Sequence, residues 1–140
     1  MPRFAYLPLG FAAGLLAATT VLAEATRPLD ALSACRLDDS RVVIRFTFEG
    51  GACQQPGEPT LEPGDGGVGA VSIPTENVGD VCTLQIVPVE FAGVVDAGSS
   101  ITSLDVTVLD PDGGRLGLGS TDVVDDANTE CIEPEATATE

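Results

Sequence analysis

Between Arg41 and Glu49 the chain alternates, with Val42, Ile44, Phe46 and Phe48 interleaved by Arg41, Val43, Arg45, Thr47 and Glu49. Successive side chains of a β-strand point to opposite faces, so this period of two describes a strand with one face buried and the other facing water. No window after residue 23 carries the 3.6-residue period of a helix, which leaves β-structure as the way to build a core. A second strand is expected from Val81 to Val89, with Cys82, Leu84 and Ile86 on one face and Val81, Val87 and Val89 on the other. Pro88 cannot donate to a ladder and confines that strand's far end to an edge or a bulge. A third run sets Leu104, Val106 and Val108 against Ser103, Asp105 and Thr107.

The connections carry their own chemistry. Asp110-Pro111-Asp112-Gly113-Gly114 combines a proline that presets φ, an aspartate able to bond nearby backbone, and a glycine that accepts positive φ. A hairpin from the third run into Arg115–Leu118 follows. Asp38-Asp39-Ser40 likewise turns the segment from Ala34 to Leu37 back onto Arg41–Ile44. Shorter runs lie at Val68–Ile73, Phe91–Val95 and Thr121–Val124, and residues 54–67, with three prolines and four glycines, read as an exposed loop. Short strands separated by turn signals predict an all-β fold, a small antiparallel β-sandwich, immunoglobulin-like or similar, of about six to eight strands.

The first 23 residues stand apart. Arg3 precedes an uncharged apolar run from Phe4 to Leu22, and small residues at Val21 and Ala23 suit a signal peptidase, so cleavage after Ala23 is expected, with Ala25 as the second choice. Pro8, Gly10 and Gly14 weigh against a retained transmembrane helix. Leu32-Ser33-Ala34-Cys35 has the letters of a lipoprotein box, but Glu24, Arg27 and Asp30 separate it from the apolar run. The expected organisation is a signal peptide over 1–23, one domain over 24–132 and an acidic tail over 133–140. The destination is periplasmic or secreted, with no membrane anchor after cleavage.

An oxidising destination and an even number of cysteines, Cys35, Cys53, Cys82 and Cys131, predict two disulfides. None is spaced as CxxC. If Cys35 lies beside the start of the Arg41–Glu49 strand, Cys53 follows its far end, tens of ångströms away at about 3.3 Å per residue. Cys53 with Cys82 and Cys35 with Cys131 is therefore the preferred pairing, the first closing the Gly/Pro-rich loop and the second tying the chain ends.

Composition excludes much chemistry. The chain has no His, Lys or Trp, and beyond residue 23 no Met or Tyr. That removes imidazole bases and ligands, lysine Schiff bases and thioether copper sites. All 22 acidic residues fall after residue 23 against five arginines there, a balance that repels nucleic acid. Three sets of residues remain as candidates. Asp110, Asp112, Asp122, Asp125 and Asp126 offer oxygen donors for calcium at one end of a sandwich, although an EF-hand would want a ligand and a glutamate where Gly114 and Thr121 stand. Arg36, Arg41 and Arg45 form a cationic island suited to an acidic partner. Paired carboxylates admit a hydrolase that needs no histidine. The leading expectation is a non-catalytic, monomeric binding or interaction module without cofactor, whose partner is an unspecified protein. A calcium-stabilised extracellular domain is the alternative, and a carboxylate-dependent hydrolase the third reading.

Overall fold

The computed structural model describes residues 26–79, 81–83 and 85–125. The expected signal segment, and the tail with Asp126 and Cys131, lie outside these residues. Nine strands follow in order: β1 (Arg27–Pro28), β2 (Asp30–Arg36), β3 (Arg41–Gly51), β4 (Gln54–Pro56), β5 (Thr60–Pro63), β6 (Val68–Asn77), β7 (Ile86–Asp96), β8 (Ser103–Leu109) and β9 (Arg115–Val124). They form one sheet path, β4-β6-β8-β9-β2-β3-β7, with β1 beside β9 and β5 beside β6. The path folds back on itself, so that β5, β6 and β8 face β2, β3 and β7, while β9 runs along both groups. The protein is an all-β, sandwich-like domain, as the alternating pattern implies.

Between the layers lie the even-numbered residues of β3, Val42, Ile44, Phe46 and Phe48, against Val71 and Ile73 of β6 and Leu104, Val106 and Val108 of β8. Phe91 and Val95 of β7 complete the wall, with the Phe46 and Phe91 rings stacked at 5.0 Å between centroids. Burying each of these large side chains contributes about 1.5–3 kcal/mol. Thr75 is the one buried polar side chain among the described residues, and its hydroxyl donates to the Leu109 carbonyl at 2.7 Å.

Pairing is mixed. Five of the strand pairs are antiparallel, but β1–β9, β2–β9 and β6–β8 run parallel. Parallel neighbours need a crossover between them, and β7, in the opposite layer, supplies it for β6 and β8. A bulge in β2 serves the same economy. Asp30 pairs with Thr47 and Ser33 with Arg45, so three steps on β2 match two on β3, with Ala31 at φ 51° in between. Without that extra residue Leu29 and Leu32 would fall on opposite faces. With it, both pack against the core. Gly117 and Gly119 of β9 make room for them, since a Cβ there would lie 2.6 Å from Leu29 and 2.8 Å from Leu32.

Two expectations are corrected. The second strand runs over Ile86–Asp96, not Val81–Val89. β3 and β7 pair without interruption from Arg41↔Asp96 to Gly51↔Ile86, so the ladder between them ends where β3 ends, at Ile86. Cys82 is thus in a loop, and Phe91–Val95 belongs to the same strand as Pro88. Pro88 sits on the last strand of the path, where its missing donor is tolerated. Residues 54–67 are more than a loop: β4 and β5 occur there, both on β6, and are followed by a 3-10 turn over Asp65–Gly67.

Candidate functional site

The two ends of the domain are closed differently, and the difference locates the candidate site. At one end lie the start of β3, the end of β7, the start of β8 and the end of β9. Arg36, at the end of β2, reaches across this end. Its Nη1 donates to the carbonyls of Ala97 (3.0 Å) and Asp38 (3.2 Å), and its Nη2 to those of Gly98 (3.1 Å) and Ile101 (2.8 Å). Its Nε faces Asp125 at 3.4 Å, and its side chain is only 12 % exposed. The planar guanidinium thus satisfies carbonyls that a loop turning over a core would otherwise leave unmet. Beside it, the Asp38 carboxylate accepts from the Ser40 backbone N–H (2.9 Å) and from Arg41 Nε (2.7 Å). Those two donors, the backbone N–H first, hold the Asp38 carboxyl down at about 2.

The other end is open. Here β3 finishes, β7 begins, β6 and β8 end and β9 starts. The Cys53–Cys82 disulfide joins the segment after β3 to the loop before β7, with the Cα atoms 5.5 Å apart. This is the expected pairing, and its reason is the one anticipated: Cys53 follows the far end of β3. On the chain-entropy model, closing a loop with a sequence separation of 29 contributes about 3.6 kcal/mol. Ala52 N–H donates to Gln85 O (3.0 Å) and Val78 N–H to Cys53 O (2.8 Å), which set the bridge between β6 and β7. Beside it opens a cleft of about 440 Å³.

The cleft is lined by charged and by amide side chains. Arg27 of β1 is ion-paired with Glu49 of β3, and Arg115 at the start of β9 is the second cation. Gln54, Asn77, Thr83 and Gln85 supply amide and hydroxyl groups. Gln54 Oε1 is already committed to the Gly51 N–H at 2.8 Å. Gly50 permits that arrangement, because a Cβ there would come within 2.9 Å of both Gln54 Oε1 and the Phe48 ring. Ile86, 57 % exposed, offers an apolar side chain at the mouth. Such a combination holds a ligand by apolar contact and a few placed polar groups. Glu49 is the single carboxylate among the described lining residues, and it already faces Arg27.

The residues singled out by sequence fall elsewhere. Asp110 is a turn former, its carboxylate accepting from the N–H groups of Asp112 (2.9 Å) and Gly114 (2.7 Å), while Gly113 takes φ 90°. Asp122 pairs with Ser103, six residues of β8 away from the turn, or about 20 Å along the strand. Asp110 and Asp112 therefore lie at the open end, Asp122 and Asp125 at the clamped end, and Asp126 outside the described residues. Among the described residues no three Cys, Asp or Glu side chains gather as metal donors. The arginine island also divides. Arg36 follows the inward parity of β2 and is the clamp just described, whereas Arg41 and Arg45 lie on the outward face of β3. Cys35 is disulfide-bonded; Cys131 lies outside the described residues.

The cleft itself was not legible in the sequence because its residues come from five separate segments. One local signal was present: four side-chain amides, Gln54, Gln55, Asn77 and Gln85, cluster within a few residues of two cysteines. Comparison of the chain with family models, curated proteins and solved structures finds no match in any of the three. What fold and site define is a disulfide-bonded, sandwich-like domain with one clamped end and one open end. Among the described residues no helix is long and apolar enough to cross a membrane.

Proposed function

We propose that this chain is an exported, non-catalytic binding module that holds a segment of a partner protein in the cleft beside Cys53–Cys82. The observation that carries the reading is the cleft's make-up: an exposed Ile86, the guanidinium of Arg115 and several side-chain amides line one opening beside the Cys53–Cys82 bridge. A peptide segment bearing an apolar side chain and a carboxylate matches those groups, the first against Ile86 and the second against Arg115. Disulfides persist in oxidising compartments, which supports export and fits the expected signal over 1–23. Catalysis has little support in the lining, which lacks histidine and lysine and has Glu49 engaged with Arg27.

The test is capture of a partner from the periplasm or medium of the producing cell on the immobilised oxidised protein, alongside Ile86→Asp and Arg115→Glu. Both side chains are exposed, so the fold should survive. The partner retained by the parent should be lost at least tenfold on each variant; equal capture on all three excludes the cleft. A melt in millimolar calcium discriminates the calcium-stabilised reading. A ligand bound only to the folded state raises Tm, and with its aspartates at opposite ends the domain should show no rise.

A further inference from the structure

The sheet path has two edges, and they are finished differently. At one, β4 and β5 share the flank of β6 as strands of three and four residues, with Pro56, Pro59 and Pro63 interrupting them. Short strands and prolines are the usual means of keeping an edge from pairing with another chain. At the other edge β7 runs for 11 residues in unbroken register with β3, and among the described residues it pairs with nothing else. Pro88 guards only its start. From Val89 to Asp96 there is neither a proline nor a bulge.

The direction of the β7 backbone groups follows from the ladder. Ala52 N–H donates to Gln85 O at 3.0 Å, and Ala97 N–H to Ser40 O at 2.8 Å. Both bonds keep the β3–β7 register, one step beyond each end of it. In an antiparallel ladder hydrogen-bonded pairs alternate with non-bonded ones. The odd-numbered residues of β7 therefore bond β3, and the N–H and C=O groups of Glu90, Ala92 and Val94 point away from it, to the open edge. Along that edge lies a groove of about 1110 Å³, lined by Phe91, Ala92 and Gly93 and by the β4–β5 link from Pro56 to Pro59.

We propose that the β7 edge is a docking site for an extended, cationic segment of a partner protein, which adds to the sheet as a further strand. Donors and acceptors repeating at every second residue are met in full by another extended chain, whose own backbone repeats in the same way. Charge selects among such chains. The protein carries a formal charge of −16, and Glu58 and Glu90 line the groove. Arg45, the one cation among the described lining residues, is half-buried and already engaged. A second copy of this chain would set −16 against −16; a segment rich in Lys or Arg is attracted instead. The edge from Val89 onward lies beyond Pro88 from the cleft, and this proposal stands or falls separately from the binding reading.

Amide exchange of the oxidised protein, with and without an alternating Lys-Val octapeptide, tests it. In the free protein the amides of Glu90, Ala92 and Val94 should exchange fast, while those of Phe91 and Gly93 are protected by β3. The peptide should slow the first three at least tenfold, and an alternating Glu-Val octapeptide should bind at least tenfold more weakly. Ala92→Pro removes a donor on the open edge and none of the bonds to β3. It should weaken binding of the Lys-Val peptide at least tenfold, with Phe91 and Gly93 still protected. Should that variant lose its fold, a fully N-methylated Lys-Val peptide, equally charged but unable to pair as a strand, replaces it and should not bind. Protection of Glu90, Ala92 and Val94 in the free protein, from its own chain or from a second copy seen by sedimentation, would overturn the proposal. So would equal binding by Ala92→Pro or by the N-methylated peptide, which would reduce the attraction to charge alone.

Discussion

The clamped end and the cleft end of this domain solve the same problem in opposite ways. Both must close a core whose strands stop at a ragged edge. At the clamped end a single guanidinium bonds four carbonyls of the turns that cross it, and Ala97 and Ile101 are buried beneath, at 1 % and 5 % exposure. At the cleft end a covalent bridge ties the segment after β3 to the loop before β7, while Ile86, Val78 and Val81 stay in water at 57, 41 and 89 %. A disulfide needs only two sulfurs in place and leaves its surroundings unpacked; a hydrogen-bonded clamp works only if every carbonyl arrives. Openness at the cleft end therefore costs little stability, and that is the end to which the proposed binding role is assigned.

Breaking the bridge should have the largest effect. Cys53→Ser with Cys82→Ser should lower stability by about 3.6 kcal/mol and Tm by about 15–25 °C, checked by a calorimetric melt. A matched pair of isoleucines sharpens the contrast: Ile101→Ala at the clamped end should cost about 2–4 kcal/mol, but Ile86→Ala at the cleft about 0.5 kcal/mol, both by urea titration. Equal costs would mean that the ends are packed alike. Arg36→Met keeps most of the stem and removes the fork, leaving the Ala97 and Ile101 carbonyls short of a donor. A loss of about 2 kcal/mol is expected, with faster amide exchange confined to residues 97–102.

The smallest effect concerns acid. Asp38 has its pKa held at about 2, below its ordinary 3.8, by the Ser40 backbone N–H and Arg41. A depressed carboxyl contributes stability in full above its unfolded pKa and loses it as pH falls through the folded one. Melts of the parent and of Asp38→Asn should therefore differ most above pH 4 and converge as pH drops toward 2. A constant difference across that range would show that the turn does not depend on the carboxylate charge.

Much of the clamped end's local chemistry was legible in the sequence. Asp38-Asp39-Ser40 reads as a turn because Asx residues bond their own backbone, and the Arg41–Glu49 alternation marks the buried face of β3 residue by residue. The Cys53–Cys82 bridge was reachable too, from the length of that strand. The second strand was misplaced because Val81, Leu84 and Ile86 have strand-like composition, while its true extent depends on how far β3 offers a partner. Arg36 looked like one member of a surface island, since three arginines in ten residues say nothing about which of them turns inward.

Side-chain periodicity, turn chemistry and the count of cysteines are properties of neighbours along the chain, and these the sequence by itself determined: an all-β domain, its best strand, its β8–β9 hairpin and its oxidised thiols. The parallel pairings, the Ala31 bulge that brings Leu29 and Leu32 to one side, the Arg36 clamp and the cleft were decided only by tertiary structure. Each joins residues from distant segments, as when Arg27, Glu49 and Arg115 meet around one opening. No local pattern encodes such meetings, because they follow from which sheet edges pack together once the apolar faces have been buried.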